Sequence, residues 1–236
     1  MKSIITFCAS LALMLFGFCQ SANAQVEIPV RSYSKTLELT VAADVGIESA
    51  LSAKGLTVAD LAGYDCLVKT GAGCLTMDVD IPDFKGDIFI EEGKMDVKAA
   101  LGLGMASTET CVVVRDDATL QWSAKVTYGA KTVYFQGKGC DGENGGALMT
   151  TDIGDNRTQI TKDVVFVMTG NSRTRLLCTS TTARLFDGST MYMNGYTNEC
   201  YFGINGRAYY FNPQVLDQGT FDIRMGLVYF QGNISL

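Results

Sequence analysis

Histidine occurs nowhere in the 236 residues. Its absence removes Ser–His and Cys–His nucleophile pairs and the commonest general base near neutral pH. There is no C-x2-C spacing either, so the sequence predicts no metal site and no cofactor. Lysine and arginine number 19 against 25 acids, giving a formal charge of −6, and no basic cluster breaks the balance. That argues against nucleic-acid partners, because nothing gathers to neutralise a phosphate backbone. Beyond the first 24 residues no apolar run approaches the roughly 20 residues of a membrane-spanning helix, so no transmembrane segment is expected in the mature chain. Ser32-x-x-Lys35 and Lys69-Thr70-Gly71 spell two fragments of a Ser–Lys acyl-transfer site. The S-D-N element that belongs between them is missing, and chance accounts for both.

The chain begins with an export signal, residues 1–24. Lys2 supplies the positive start, "IITFCASLALMLFGFC" the apolar run, and Ala22-Asn23-Ala24 a cleavage site before Gln25. The expected product, residues 25–236, is exported to the periplasm, cell surface or exterior. Cleavage removes one lysine and no acid, so −6 becomes −7. It also removes Cys8 and Cys19 and leaves six cysteines. An even number in an oxidising compartment predicts disulfides. Sequential pairing, Cys66–Cys74, Cys111–Cys140 and Cys178–Cys200, follows if each pair brackets a local unit.

Hydrophobic alternation with a period of two dominates from Cys74 onward. In "TLQWSAKVTY" Leu120 and Trp122 alternate with Thr119 and Gln121, predicting one buried and one wet face. Helical signals are confined to residues 46–62, where Gly55 stops one segment and Thr57-Val-Ala-Asp60 makes a capping box for another. Asp187-Gly188 and Asn205-Gly206 read as two-residue hairpin turns. The expected fold is mainly β: an antiparallel, sandwich-like, disulfide-stabilised domain with short helical segments. It forms one unit over 25–236, with a candidate internal boundary in the polar, glycine-rich stretch near 140–160.

The tetrapeptide Y-F-Q-G occurs twice, in "TVYFQGKG" and "LVYFQGNI", with relatives "TMYMNG" and "AYYFNP" between. The tyrosines follow no fixed period, which favours a way of ending strands over a repeated binding unit. "INGRAYYFNP" resembles the N-G-x-x-Y-Y-F run of cell-wall- and glucan-binding repeats over about ten residues. Those repeats also use tryptophans, and the sole tryptophan here is Trp122.

Two kinds of site remain. Asp78 and Asp80, followed by Asp83, Asp87, Glu91 and Glu92, offer paired carboxylates for a polysaccharide hydrolase. Aromatics crowd a later segment, and Tyr192, Tyr201, Tyr209 and Tyr210 are the candidate binding residues for a glycan or protein surface. The leading expectation is an exported, non-catalytic binding or structural surface protein, adhesive or fimbrial in type and capable of self-assembly. Alternating residues at both ends, "VEIPV" and "VYFQGNISL", resemble the exchanged strands of chaperone–usher fimbrial subunits, although Pro29 and Ser235 depart from that pattern. The alternatives are the hydrolase and a β-sheet carrier of an apolar ligand, the latter suggested by the small residues Ala100, Gly104 and Ala106.

Overall fold

The computed structural model describes residues 25–124, 126–151, 163–177, 186, 188–202, 208–211, 214–225 and 227–230. Its strands are β1 Thr36–Thr40, β2 Val45–Gly46, β3 Cys66–Thr70, β4 Cys74–Met77, β5 Asp87–Ile90, β6 Gly93–Val97, β7 Cys111–Val114, β8 Ala118–Trp122 and β9 Thr132–Gly137. They continue as β10 Leu148–Thr151, β11 Val165–Leu177, β12 Thr190–Tyr192, β13 Thr197–Phe202, β14 Ala208–Phe211, β15 Gln214–Val215, β16 Thr220–Met225 and β17 Leu227–Phe230.

Every pairing between these strands is parallel. Fifteen strands form one sheet whose spine runs β1-β3-β5-β7-β9-β11-β10-β8-β6-β4-β2, and β14 with β17 forms a separate pair. Up to β10 the chain alternates: odd strands build a first ladder, even strands a second. Strand β11, 13 residues long, belongs to both. Its Val165–Met168 half pairs with β9 and its Leu148-facing half with β10. The sheet therefore curls on itself, and the inner sides of both ladders line one core.

The expected antiparallel sandwich is thus overturned. Alternation of period two identifies a strand and its buried face but says nothing of the neighbour's direction. Parallel neighbours need a long crossover, usually a helix. Here the crossover is a strand of the opposite ladder, which leaves the same alternating signature. Gly188 does have positive φ, at 75°, yet the strands flanking it pair in parallel. Asp187 and Asn205-Gly206 lie outside the described residues.

The disulfides are overturned for the same reason. Cys66 lies on β3 of the first ladder and Cys74 on β4 of the second, so the coil separates them. Cys111 starts β7 in the first ladder, whereas the Cys140 thiol sits 3.3 Å from Thr119 Oγ1 on the second. Cys66, Cys74, Cys111, Cys140 and Cys200 are all free thiols. Cys178 lies outside the described residues, and Cys200 is buried in the core.

The register shows why the sides match. One inward row runs Leu37, Leu67, Ile88, Val112, Val133, Phe166, Met191 and Val215. Its counterpart in the second ladder runs Val45, Leu75, Met95, Leu120, Leu148, Thr174, Cys200 and Ile223. Leu120 and Trp122 face the core as expected, but the other face of β8 is not wet: Thr119 and Gln121 are buried as well, at 0% and 8% exposed. The first coil also carries helix α1, Ile47–Ser52, which buries Ile47 and Leu51. A 3-10 turn at Val58–Gly63 follows, fixed by the Thr57–Asp60 capping box and burying Leu61.

Glycines turn the corners between ladders. Gly71 has φ 79°, and a Cβ there would lie 2.6 Å from the Val41 carbonyl oxygen of the preceding coil. Gly137, the glycine of the first Y-F-Q-G, has φ 80° and would strike Asp116 in the same way. In that motif Phe135 faces the core and Tyr134 the outside, and the glycine makes the corner. Only glycine takes such a backbone at no steric cost. The motif is a rung of the coil.

Candidate functional site

Chemistry on this scaffold is divided between an interior and two outer faces. The interior is packed with aromatic rings. Phe166 packs edge-on against Trp122, Phe135 and Phe186 with ring centroids 4.7–6.2 Å apart. The small residues Ala100, Gly104 and Ala106 fall in the irregular segment after β6, where a Cβ on Gly104 would meet the Phe84 carbonyl oxygen at 2.6 Å. They permit close packing of backbone. Lys69 also points inward in the first ladder, and its ammonium donates to the carbonyl oxygens of Gly71 and Glu92 at a corner. Burial holds the Lys69 pKa below the ordinary lysine range.

The outer face of the first ladder is apolar and covered. Phe89, Val113, Tyr134, Val167 and Tyr192 form one outward row. Over it lies the segment Gln25–Ser34, whose Val26 and Ile28 pack against the same cluster. Asn194 holds one end of this strap: its side chain accepts from Val26 N at 2.9 Å and donates to Val26 O at 2.8 Å. Asp65 holds the other, accepting from Ser34 N, Ser34 Oγ and Lys35 N at 2.7, 2.6 and 3.0 Å. These bonds lower the Asp65 pKa. Between the two ends, Arg31 forks onto both Asp87 oxygens at 2.9 Å, and Tyr33 donates to Asp87 at 2.8 Å. The Tyr33 ring meets Phe89 edge-on at 5.8 Å.

Asp87 is 1% exposed and also accepts from Cys111 N at 2.8 Å. Burial, with Asp87 adjacent, pushes the Cys111 thiol up to about 12, so it stays protonated. Buried Lys131 donates to Thr110 beside this cluster, and desolvation lowers its pKa to about 8. Every charge here has a partner. The group is a clasp.

The second ladder's outer face, towards the C-terminal coils, is charged; Arg173 is buried there, donating to the Gly142 and Glu143 carbonyl oxygens, while Glu199, Asp222 and Arg224 reach solvent. Arg173, Glu199 and Asp222 stand in register on β11, β13 and β16. Arg173 donates through Nε and Nη2 to Glu199 at 3.2 and 3.1 Å, and Arg224 reaches Asp222 at 2.6 Å. In the next row Arg175 is paired with Tyr201. The Arg173 and Arg175 guanidiniums lie 4.9 and 5.5 Å from that ring's centroid. A depression of ≈ 160 Å³ opens beside them, lined by Lys138, Thr197, Glu199, Asp222 and Arg224. Ser172 contributes to its wall, but its side chain has the inward parity of Thr174 and its hydroxyl is buried.

The four predicted tyrosines are not one site. Tyr192 is half-buried on the strap-covered face, and Tyr201 is on the opposite ladder. Tyr209 and Tyr210 belong to β14, which pairs with β17 in the separate two-stranded sheet. Sequence reasoning named Tyr201 but not its neighbours Arg173, Arg175, Glu199 and Arg224. Their signal was the outward parity of β11 and β13, readable only once those strands are set side by side.

The predicted carboxylates fall on more than one element. Asp78 and Asp80 follow the end of β4, and Asp80 accepts from Leu101 N at 2.7 Å. Glu91 pairs with Arg115 at 3.4 Å, and Asp87 closes the clasp. Among the described residues no three His, Cys, Asp or Glu side chains gather as a metal set, and no helix is long and apolar enough to cross a membrane. No protein-family model, curated protein or solved structure matches the chain.

Proposed function

We propose that this is an exported, non-catalytic binding or structural surface protein, whose recognition surface is the open outer face around Tyr201 and the adjoining depression. The observation that carries the reading is the ordered row Arg173–Glu199–Asp222 beside Arg175–Tyr201, next to the depression lined by Lys138, Thr197 and Arg224. Parallel strands hold such rows at a fixed step of about 4.8 Å, so the groups are pre-arranged before any ligand arrives. An aromatic ring flanked by guanidiniums and carboxylates suits a hydroxyl-rich or charged surface such as a glycan or a polar protein face.

The test is an oligosaccharide array probed with labelled protein of residues 25–236, followed by titration of any hit. Tyr201→Ala and Arg224→Ala should each weaken the hit at least about tenfold, a loss of roughly 1.4 kcal/mol, with unchanged thermal midpoints. Binding that ignores both substitutions, or no binding at millimolar sugar, rejects this face as the recognition surface. Export is tested separately by fusing residues 1–24 to a reporter and following its cleavage and secretion.

A further inference from the structure

The covered face poses a question that the open face does not. An apolar outward row on a sheet is ordinarily an interface, and here, among the described residues, it is the chain's own strap that covers it. The strap adds no strand to the sheet. It runs from Asn194, beside the coil of Met191, to Asp65, beside the coil of Leu67. Those coils are separated by five strand spacings, about 24 Å at about 4.8 Å each. The eight steps from Val26 to Ser34 reach about 26 Å when extended. The segment is just long enough to cross at full stretch.

Its hold is modular. Val26 and Ile28 enter the apolar row, Arg31 and Tyr33 enter the Asp87 cluster, and Val30 between them is fully exposed at 102%. The face thus reads a linear pattern: aliphatic, any, aliphatic, any, any, arginine, any, tyrosine. Its contacts come from side chains and from backbone groups at Val26, Ser34 and Lys35, and none of these groups requires the reader and the read segment to share a chain.

We propose that the outer face of the first ladder is a receptor for this extended segment, closed in cis in the monomer and open in trans to the same segment of a second copy. Exchange of an identical element between protomers is a low-cost route to association, because the contacts already exist. The short connection from Ser34 into β1 gives the cis strap an effective concentration of roughly millimolar, so exchange becomes prominent only where copies are crowded or the cis strap is weakened. This surface is distinct from the one around Tyr201, and the proposal stands or falls independently of it.

Complementary variants test it. Arg31→Glu sets a carboxylate against Asp87 and frees the receptor face while spoiling its own strap. Asp87→Asn spoils the receptor while leaving its strap intact. Each alone should be monomeric; mixed at about 100 μM, where trans docking has no intact cis competitor, they should form a 1:1 complex by size-exclusion chromatography with light scattering. Adding Ile28→Asp to the Asp87→Asn chain should abolish the complex. Two folded variants that stay monomeric on mixing overturn the proposal. Should Asp87→Asn fail to fold, a fluorescent peptide of residues 25–35 replaces it. That peptide should bind Arg31→Glu protein at least about tenfold more tightly than it binds the unaltered protein. Equal or absent binding overturns the proposal equally.

Discussion

The two outer faces come from one sheet and from strands of similar length, yet they meet solvent in opposite ways. On the first ladder the outward positions Phe89, Val113, Tyr134 and Val167 are apolar and lie under a strap. On the second, a buried Arg173 is paired with Glu199, and Asp222 and Arg224 neutralise one another at the solvent edge. The inner rows are alike, so the core decides the fold and the outward parity decides the use of each face. A parallel coil makes this division easy, because each coil contributes one strand to each ladder and the ladders can diverge outside while sharing their interior.

The largest effect should come from breaking what the faces share. Phe166, 0% exposed, touches aromatic rings of both ladders. Phe166→Ala should cost about 3–5 kcal/mol through the cavity it leaves. Urea unfolding followed by Trp122 fluorescence in the second ladder and by Cys111 reactivity in the first should give one common midpoint. Two separate midpoints would show that the ladders unfold independently.

A pair of tyrosines sharpens the contrast between the faces. Tyr134→Ala, at a position 7% exposed beneath the strap, should cost roughly 2–4 kcal/mol. Tyr201→Ala loses chiefly its cation–π contacts in the open and should cost no more than about 1 kcal/mol. Equal losses in chemical denaturation would erase the distinction drawn here between a covered and an open surface.

The smallest effect is in pH. Burial lowers the Lys131 pKa to about 8, whereas the unfolded chain keeps it near the ordinary 10.5. Between those values the unfolded state binds the extra proton, so the Lys131 contribution to stability rises with pH across the window and is lost as pH falls through it. Cys111, which ionises far less readily when folded, acts in the opposite direction above its ordinary value of 9.0. The Lys131 share is therefore read as the difference between the unaltered chain and Lys131→Met. That difference should change from about pH 10 down to pH 8, and a flat difference would mean the amine is not desolvated.

Much of the local structure was legible from the residues. The Leu120/Trp122 alternation gives the inward face of β8, and Thr57–Asp60 gives a capping box that the 3-10 turn uses. Strand direction was not legible, because inward rows of a parallel coil and of an antiparallel sandwich alternate identically. The repeat was hidden by uneven corners: Leu67 to Ile88 is 21 residues, whereas Val133 to Phe166 is 33. Aligning tyrosines could not reveal it, since the outward row passes from Tyr134 through Val167 to Tyr192. The corner glycines Gly71, Gly137 and Gly195, all at positive φ, are the feature that could have exposed it. The Tyr201 face depended on side-by-side placement of β11 and β13, a long-range fact that no local window contains.

Strand β11 carries one more consequence. Because Val165–Met168 serves one wall and Ser172–Leu177 the other, the short span Thr169–Asn171 is where both walls become a single ribbon. Force applied to either wall would pass to the other through these three residues within a single strand, in addition to the corners that join the coils.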